Sequence, residues 1–285
     1  MSGYADCHWT SRDGLKLHYR DYPGRADRPV VLCLPGLTRN ARDFEGLAAR
    51  LAGEWRVICP EMRGRGDSAY AKDSSTYNPY QYVDDINHLL EQEGIARYVA
   101  IGTSLGGLMT LILAMNAPDR IVGAALNDIG PEIEQGGLAR IASYVGQGRS
   151  FPTWMHAARA LEEQQGSAYP GFAIDDWLAM AKRLMVLSSN GRIVSDYDMK
   201  IAEPFTRAQP GAQLDLWPGV GALAGKPALL LRGGLSDVLS VETLDRMRER
   251  LPGCEVVTLP EVGHAPTLEE PESVAAIERL LARCR

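Results

Sequence analysis

The chain has 285 residues, 45% hydrophobic and 23% charged, enough for one large globular α/β domain or two small ones. A net charge of -6 argues against a nucleic-acid partner or an anionic membrane surface. No apolar run approaches membrane-spanning length, and the first 16 residues lack a signal-peptide apolar core, so a soluble, cytoplasmic protein is expected.

In chain order, His8 to Asp21 reads as a β-hairpin turned at Asp13-Gly14. Val30 to Leu34 is a continuous apolar strand, as expected when both faces of a sheet are covered. Phe44, Leu47, Ala48 and Leu51 recur at helical spacing, and Arg56 to Cys59 form the next strand. Val83, Ile86 and Leu90 mark a second helix. The apolar run Tyr98 to Ile101 leads into Gly102-Thr103-Ser104-Leu105-Gly106-Gly107, after which Leu108, Leu111, Ile112 and Met115 repeat as in a helix. Ile121 to Leu126, Ala228 to Leu231 and Val256-Val257 read as further strands, and Val274, Ile277, Leu280 and Leu281 as a closing helix. Alternating strands and helices predict an α/β, doubly wound, mostly parallel sheet with ligands at the strand carboxyl ends.

Residues 131–210 interrupt the alternation with helical periodicity and no convincing strand. Leu138, Ile141 and Val145 fit one helix, and Trp177, Met180, Ala181 and Leu184 another. The expected organisation is a core domain of residues 1–130 and 211–285 and an inserted helical cap, or lid, of residues 131–210 over the active site. Cys7, Cys33, Cys59, Cys254 and Cys284 form no Cys-x-x-Cys pair and no cluster with histidine, so no metal site and no disulfide framework are expected.

Gly102 to Gly107 reads as a nucleophile elbow, a sharp strand-to-helix turn that pushes the Ser104 hydroxyl out of the sheet. Gly102 and Gly106 let strand and helix pass closely. In a chain with 29 glycines the pattern also arises by chance, so its partners decide. A serine hydroxyl needs a base, usually a histidine held in one tautomer by a carboxylate. His8 and His18 lie in the hairpin, His88 in a helix and His156 in the insert; His264 follows the last strand in a Gly- and Pro-flanked loop and is the candidate base. Asp237, after the strand Ala228 to Leu231, is the preferred carboxylate; Asp128, after the strand Ile121 to Leu126, is the alternative. The oxyanion donors are expected from the backbone amides of Leu105 and Leu37, Pro35 having none.

With these pieces assembled, the chain resembles the α/β-hydrolase fold superfamily along essentially its whole length. The resemblance rests on Leu34-Pro35-Gly36-Leu37, Arg63 to Ser68, Gly102 to Gly107, Gly234 to Asp237 and Gly263-His264. It looks like the lid-bearing group of carboxylesterases, enol-lactonases, carbon–carbon bond hydrolases and cofactor-free haloperoxidases. That resemblance implies a helical lid over an eight-stranded sheet, with no metal and no organic cofactor. Many members carry His-Gly where this chain has Pro35-Gly36, and Ser104 departs from the aspartate nucleophile of epoxide hydrolases and haloalkane dehalogenases.

The leading expectation is a serine hydrolase of a small carboxylic ester or lactone, acting through Ser104, Asp237 and His264 as a monomer or homodimer. The alternatives are a carbon–carbon bond hydrolase of ring-cleavage diketones, a cofactor-free haloperoxidase or perhydrolase, and a non-enzymatic receptor on the same fold. Carboxylate-bearing substrates would need a cation, for which Arg39 and Arg192 are candidates. Trp154, Trp177, Met155, Met180, Met185 and Trp217 suggest an apolar substrate pocket, although helical spacing also fits packing.

Overall fold

The computed structural model describes residues 3–207 and 214–284. β1 (Ala5–Thr10), β2 (Lys16–Tyr22), β3 (Val30–Leu34), α1 (Glu45–Leu51), β4 (Val57–Pro60), α2 (Pro79–Gln92), β5 (Tyr98–Thr103), α3 (Leu105–Asn116) and β6 (Ile121–Asn127) build the first half. α4 (Gln135–Ala142), β7 (Ser150–Phe151), α5 (Trp154–Gln165), α6 (Ile174–Leu184), β8 (Met185–Leu187), β9 (Ile193–Ser195) and α7 (Ala202–Arg207) follow as an insert. α8 (Trp217–Ala222), β10 (Ala228–Gly233), α9 (Val241–Arg250), β11 (Glu255–Leu259) and α10 (Pro271–Ala282) complete the chain.

The main sheet has eight strands in the order β1-β2-β4-β3-β5-β6-β10-β11. β1 and β2 pair antiparallel, as do β2 and β4; from β4 onward the strands are parallel. The two-residue alternation of a strand explains why these runs are apolar throughout. In β3, Leu32 and Leu34 enter one core while Val31 and Cys33 enter the other. β5 divides in the same way, Tyr98 and Ala100 against Val99 and Ile101. α2, α3, α8 and α9 bury residues in the first core, and α1 and α10 in the second. Cys33 and Cys59 are fully buried free thiols that act as small core residues.

The insert carries a feature the sequence pattern does not show. β7, β9 and β8 form a small antiparallel sheet beside α5 and α6. The strands are two to three residues long, too short for a two-residue alternation to stand out. The insert has its own core, in which Trp177, Met180, Leu161 and Tyr169 are buried together. Its expected end at Pro210 lies outside the described residues.

Strand register places the functional loops at one edge. Leu34 pairs with Gly102, Thr103 with Asn127, and Asn127 with Leu231. The loops leaving β3, β5, β6 and β10 therefore start level with one another at the carboxyl edge of the sheet.

Candidate active site

Ser104 has φ 53° and ψ −117°, a backbone conformation that L side chains rarely adopt. It sits between the last residue of β5 and the first of α3, and its N–H donates to Asn127 O at 3.1 Å. The turn is as tight as the sequence demands. A Cβ at Gly102 would collide with the Gly106 carbonyl, and one at Gly106 with the Leu34 carbonyl.

His264, in the loop after β11, lies with Nε2 2.9 Å from Ser104 Oγ. Its Nδ1 lies 2.7 Å from Asp128 Oδ2. Asp128 follows β6 directly, at φ 55°, and is fully buried. Such a carboxylate needs donors. Gly233 N–H donates to Oδ1 at 2.8 Å and the Ser236 hydroxyl to Oδ2 at 2.6 Å. Ser236 Oγ in turn accepts the Val238 and Leu239 amides, so the loop after β10 holds the carboxylate from above.

The preference for Asp237 is thereby corrected: the carboxylate on His264 is Asp128. Asp237 turns instead to Arg140 of α4, which donates Nε at 2.5 Å and Nη2 at 2.8 Å. Arg140 holds the Asp237 carboxyl below its ordinary pKa against the opposing effect of burial. Two adjacent residues divide the tasks: Ser236 reaches inward to Asp128, and Asp237 reaches outward to the insert. The usable signal for Asp128 was its place at the end of the strand next to the elbow strand.

Leu105 directly follows Ser104, and Leu37 lines the same cavity as the serine. Leu105 opens α3, where the first amides have no intrahelical acceptor. Gly36 lies so close that a Cβ there would sit 3.8 Å from Ser104 Cβ. The buried Arg65 guanidinium donates twice to Leu37 O, at 2.9 and 2.7 Å, which anchors the loop. The Arg63 to Ser68 stretch carries part of the family resemblance, but nothing in its local pattern says that the long Arg65 side chain reaches Leu37.

A cavity of about 100 Å³ opens on Ser104 and His264. The core contributes Leu37, Thr38, Arg39 and Leu268 to its wall, and the insert contributes Ile141, Tyr144, Gln165, Tyr169 and Leu184. A neighbouring cavity of about 60 Å³ shares Thr38, Tyr144, Gln165 and Leu184 with it. Arg39 is thus a wall residue, and it is bound to Asp43 through Nε at 2.5 Å and Nη2 at 2.9 Å. Burial works against its charge, but Asp43 and the nearby Tyr169 and Tyr144 leave its pKa raised. Trp177 is not a wall residue: it is buried in the insert core, edge-on to Tyr169 and Phe172. Trp154 packs on the same core, outside the cavity wall. Met180 is in that core, Met155 is exposed, and Met185 lines only the neighbouring cavity. Trp217 donates to Glu132 and lies under Arg246 and Arg250. Arg192 donates to Ser150 O on the insert surface.

Among the described residues, His18, Glu61 and Asp67 bring potential metal-ligand atoms within 4.8 Å of one another. Glu61 is already engaged, accepting from Ala41 N–H and Asp67 N–H and facing His18 Nδ1 at 2.9 Å. Those bonds hold the turn after β4.

The arrangement at Ser104 has a definite chemical capacity. A hydroxyl facing a ring nitrogen, with a buried carboxylate behind the ring, can give up its proton as it attacks an electrophile.

Residues 31–277 match the Alpha/beta hydrolase family. The chain is 32% identical over 281 residues to the 3-hydroxybutyrate-oligomer hydrolase of Cupriavidus necator, covering 96% of this chain and 94% of that protein. It is 26% identical to the 2-(acetamidomethylene)succinate hydrolase of Mesorhizobium japonicum, covering 86% of this chain and 84% of that protein. Among solved structures, an alpha/beta hydrolase from Novosphingobium aromaticivorans superposes with a TM-score of 0.96 at 64% identity, over 99% of each chain. The strand order, the serine turn and these likenesses agree, and the chain belongs to the alpha/beta hydrolase family as a hydrolase enzyme.

Proposed function

We propose that this protein is a serine hydrolase of a short carboxylic ester or lactone, working through an acyl-enzyme on Ser104. The observation that carries the reading is the hydrogen-bonded line Ser104–His264–Asp128, opening on a small cavity.

Ser104 Oγ attacks the substrate carbonyl carbon while its proton passes to His264 Nε2. The Leu37 and Leu105 amides stabilise the negative charge that develops on the carbonyl oxygen. Asp128 keeps Nδ1 protonated and stabilises the imidazolium. The carbon–oxygen bond to the leaving group then breaks, and His264 returns the proton to that oxygen. A water molecule, deprotonated by His264, attacks the acyl carbon, and Ser104 leaves with the proton. Residues 131–210 act as the cap domain, of which Ile141, Tyr144, Tyr169 and Leu184 shape the acyl site.

Esters of small hydroxy acids are the favoured substrates. The support is twofold: the relative that acts on 3-hydroxybutyrate oligomers is alike over nearly its full length, and the Arg39–Asp43 pair offers the cavity both a donor and an acceptor. The test is a screen of p-nitrophenyl esters, 3-hydroxybutyrate dimer and lactones with the native enzyme and Ser104→Ala. Hydrolysis by the native chain and its loss in Ser104→Ala is the expected result. Turnover that survives the substitution overturns the reading.

A further inference from the structure

The insert grips the loop that carries His264. Tyr169 lies in the turn between α5 and α6, and its hydroxyl donates to Ala265 O at 2.7 Å. The Tyr169 hydroxyl oxygen in turn accepts the Ala265 N–H at 3.1 Å. One residue earlier, Ala168 O accepts the Gly263 N–H at 2.6 Å. The main chain is thus tied to the insert on both sides of His264. From the core, Asn127 Nδ2 reaches Pro266 O at 2.8 Å.

The Tyr169 ring is itself fixed. It stacks on Phe172 with centroids 4.7 Å apart and meets Trp177 edge-on at 5.9 Å. Only 5% of the residue is exposed. Burial pushes its phenol up to about 12, so the hydroxyl keeps its proton and remains a donor at neutral pH. Without this hydroxyl, the Ala265 amide and carbonyl lose their hydrogen-bond partner in the insert.

We propose that Tyr169 is a positioning residue for His264: its hydroxyl, bound to the main chain of the next residue, sets the geometry of the Ser104–His264 hydrogen bond. Substrate contacts on the insert wall and the alignment of the base are thereby mechanically joined, since Tyr169 also lines the cavity. This rests on the serine-hydrolase reading above. A sub-ångström shift of the ring alters proton transfer more than it alters binding, so the effect falls on kcat.

The test compares the intact native chain with Tyr169→Phe and Met180→Ala. Tyr169→Phe keeps the ring and removes the hydroxyl; Met180→Ala loosens the same insert core at a residue outside the cavity wall. The readouts are the rate of Ser104 modification by a fluorophosphonate, followed by intact mass, and kcat and KM for p-nitrophenyl butyrate. Tyr169→Phe is expected to lower both the modification rate and kcat about tenfold, with KM changed less than about twofold. Met180→Ala is expected to lower the melting temperature and leave the modification rate near the native one. A native modification rate in Tyr169→Phe overturns the inference, as does an equal loss in Met180→Ala. A native chain that is not modified at Ser104 at all overturns the serine-hydrolase reading, and this inference with it.

Discussion

The Nδ1 atom of His264 lies 2.7 Å from Oδ2 of Asp128, a residue 136 positions earlier in the chain. Asp237, closer in sequence, is bound to Arg140 across the edge of the insert. Substitution separates the two carboxylates. Asp128→Asn is expected to lower kcat by about 10³- to 10⁴-fold, because the amide no longer holds the imidazole in the required tautomer or stabilises its charged form. Asp237→Asn is expected to keep kcat within about tenfold of native, since it loses only a partly exposed pair with Arg140. Steady-state kinetics on a p-nitrophenyl ester decide between them, and the opposite ranking would restore Asp237 to the base.

The elbow tolerates no extra atom where α3 crosses β3. Gly106→Ala drives a Cβ into the Leu34 carbonyl oxygen, a backbone atom that cannot swing aside. The expected cost is about 3 kcal/mol, since overpacking against fixed backbone lies at the upper end of such substitutions. Urea unfolding monitored by circular dichroism measures it. A variant as stable as the native chain would mean that helix and strand can separate locally.

Arg39 bears on substrate choice. Its guanidinium stands in the cavity wall, and its link to Asp43 leaves Nη1 outside the pair. Arg39→Gln is expected to lower kcat/KM for 3-hydroxybutyrate dimer about tenfold or more relative to p-nitrophenyl acetate, the range for a charged hydrogen bond. Equal losses on the two substrates would assign Arg39 to loop structure alone.

Far from the cavity, Asp13 supplies a pH signature. Arg63, fully buried, hydrogen-bonds its carboxylate and holds its pKa down to about 2 from 3.8. The folded pKa is the lower one, so the carboxylate contributes stability above pH 4 and loses it as the pH falls toward 2. Solvent screening at a half-exposed carboxylate keeps the contribution to about 1 kcal/mol or less. The stability difference between the native chain and Asp13→Asn, measured by denaturant unfolding at several pH values, should therefore be full at neutral pH and close in acid. A difference that widens in acid would contradict this assignment.

Local physics wrote much of the molecule into the chain. Apolar runs such as Val30 to Leu34 announce strands buried on both faces, because alternate side chains enter two different cores. Gly102 and Gly106 announce the elbow, because no larger residue fits the crossing of backbone on backbone. Ser104 and His264 were legible because their loops leave known strand ends. Periodicity could not separate wall from core in the insert. Trp177 and Tyr144 both look like apolar residues of helices or their flanks, yet Trp177 fills the insert interior while Tyr144 lines the cavity.

The sequence by itself determined the sheet, the strained turn at Ser104 and the histidine that answers it, since each follows from spacing and backbone sterics within a few residues. Tertiary structure alone decided which carboxylate that histidine meets. Asp128 and Asp237 both follow strands at the same sheet edge, and sequence alone favoured the wrong one. The choice is made by partners distant in sequence: the Gly233 amide and Ser236 hydroxyl bind Asp128, and Arg140 draws Asp237 away. A buried carboxylate resides where donors converge on it, and that convergence exists only once the strands are side by side.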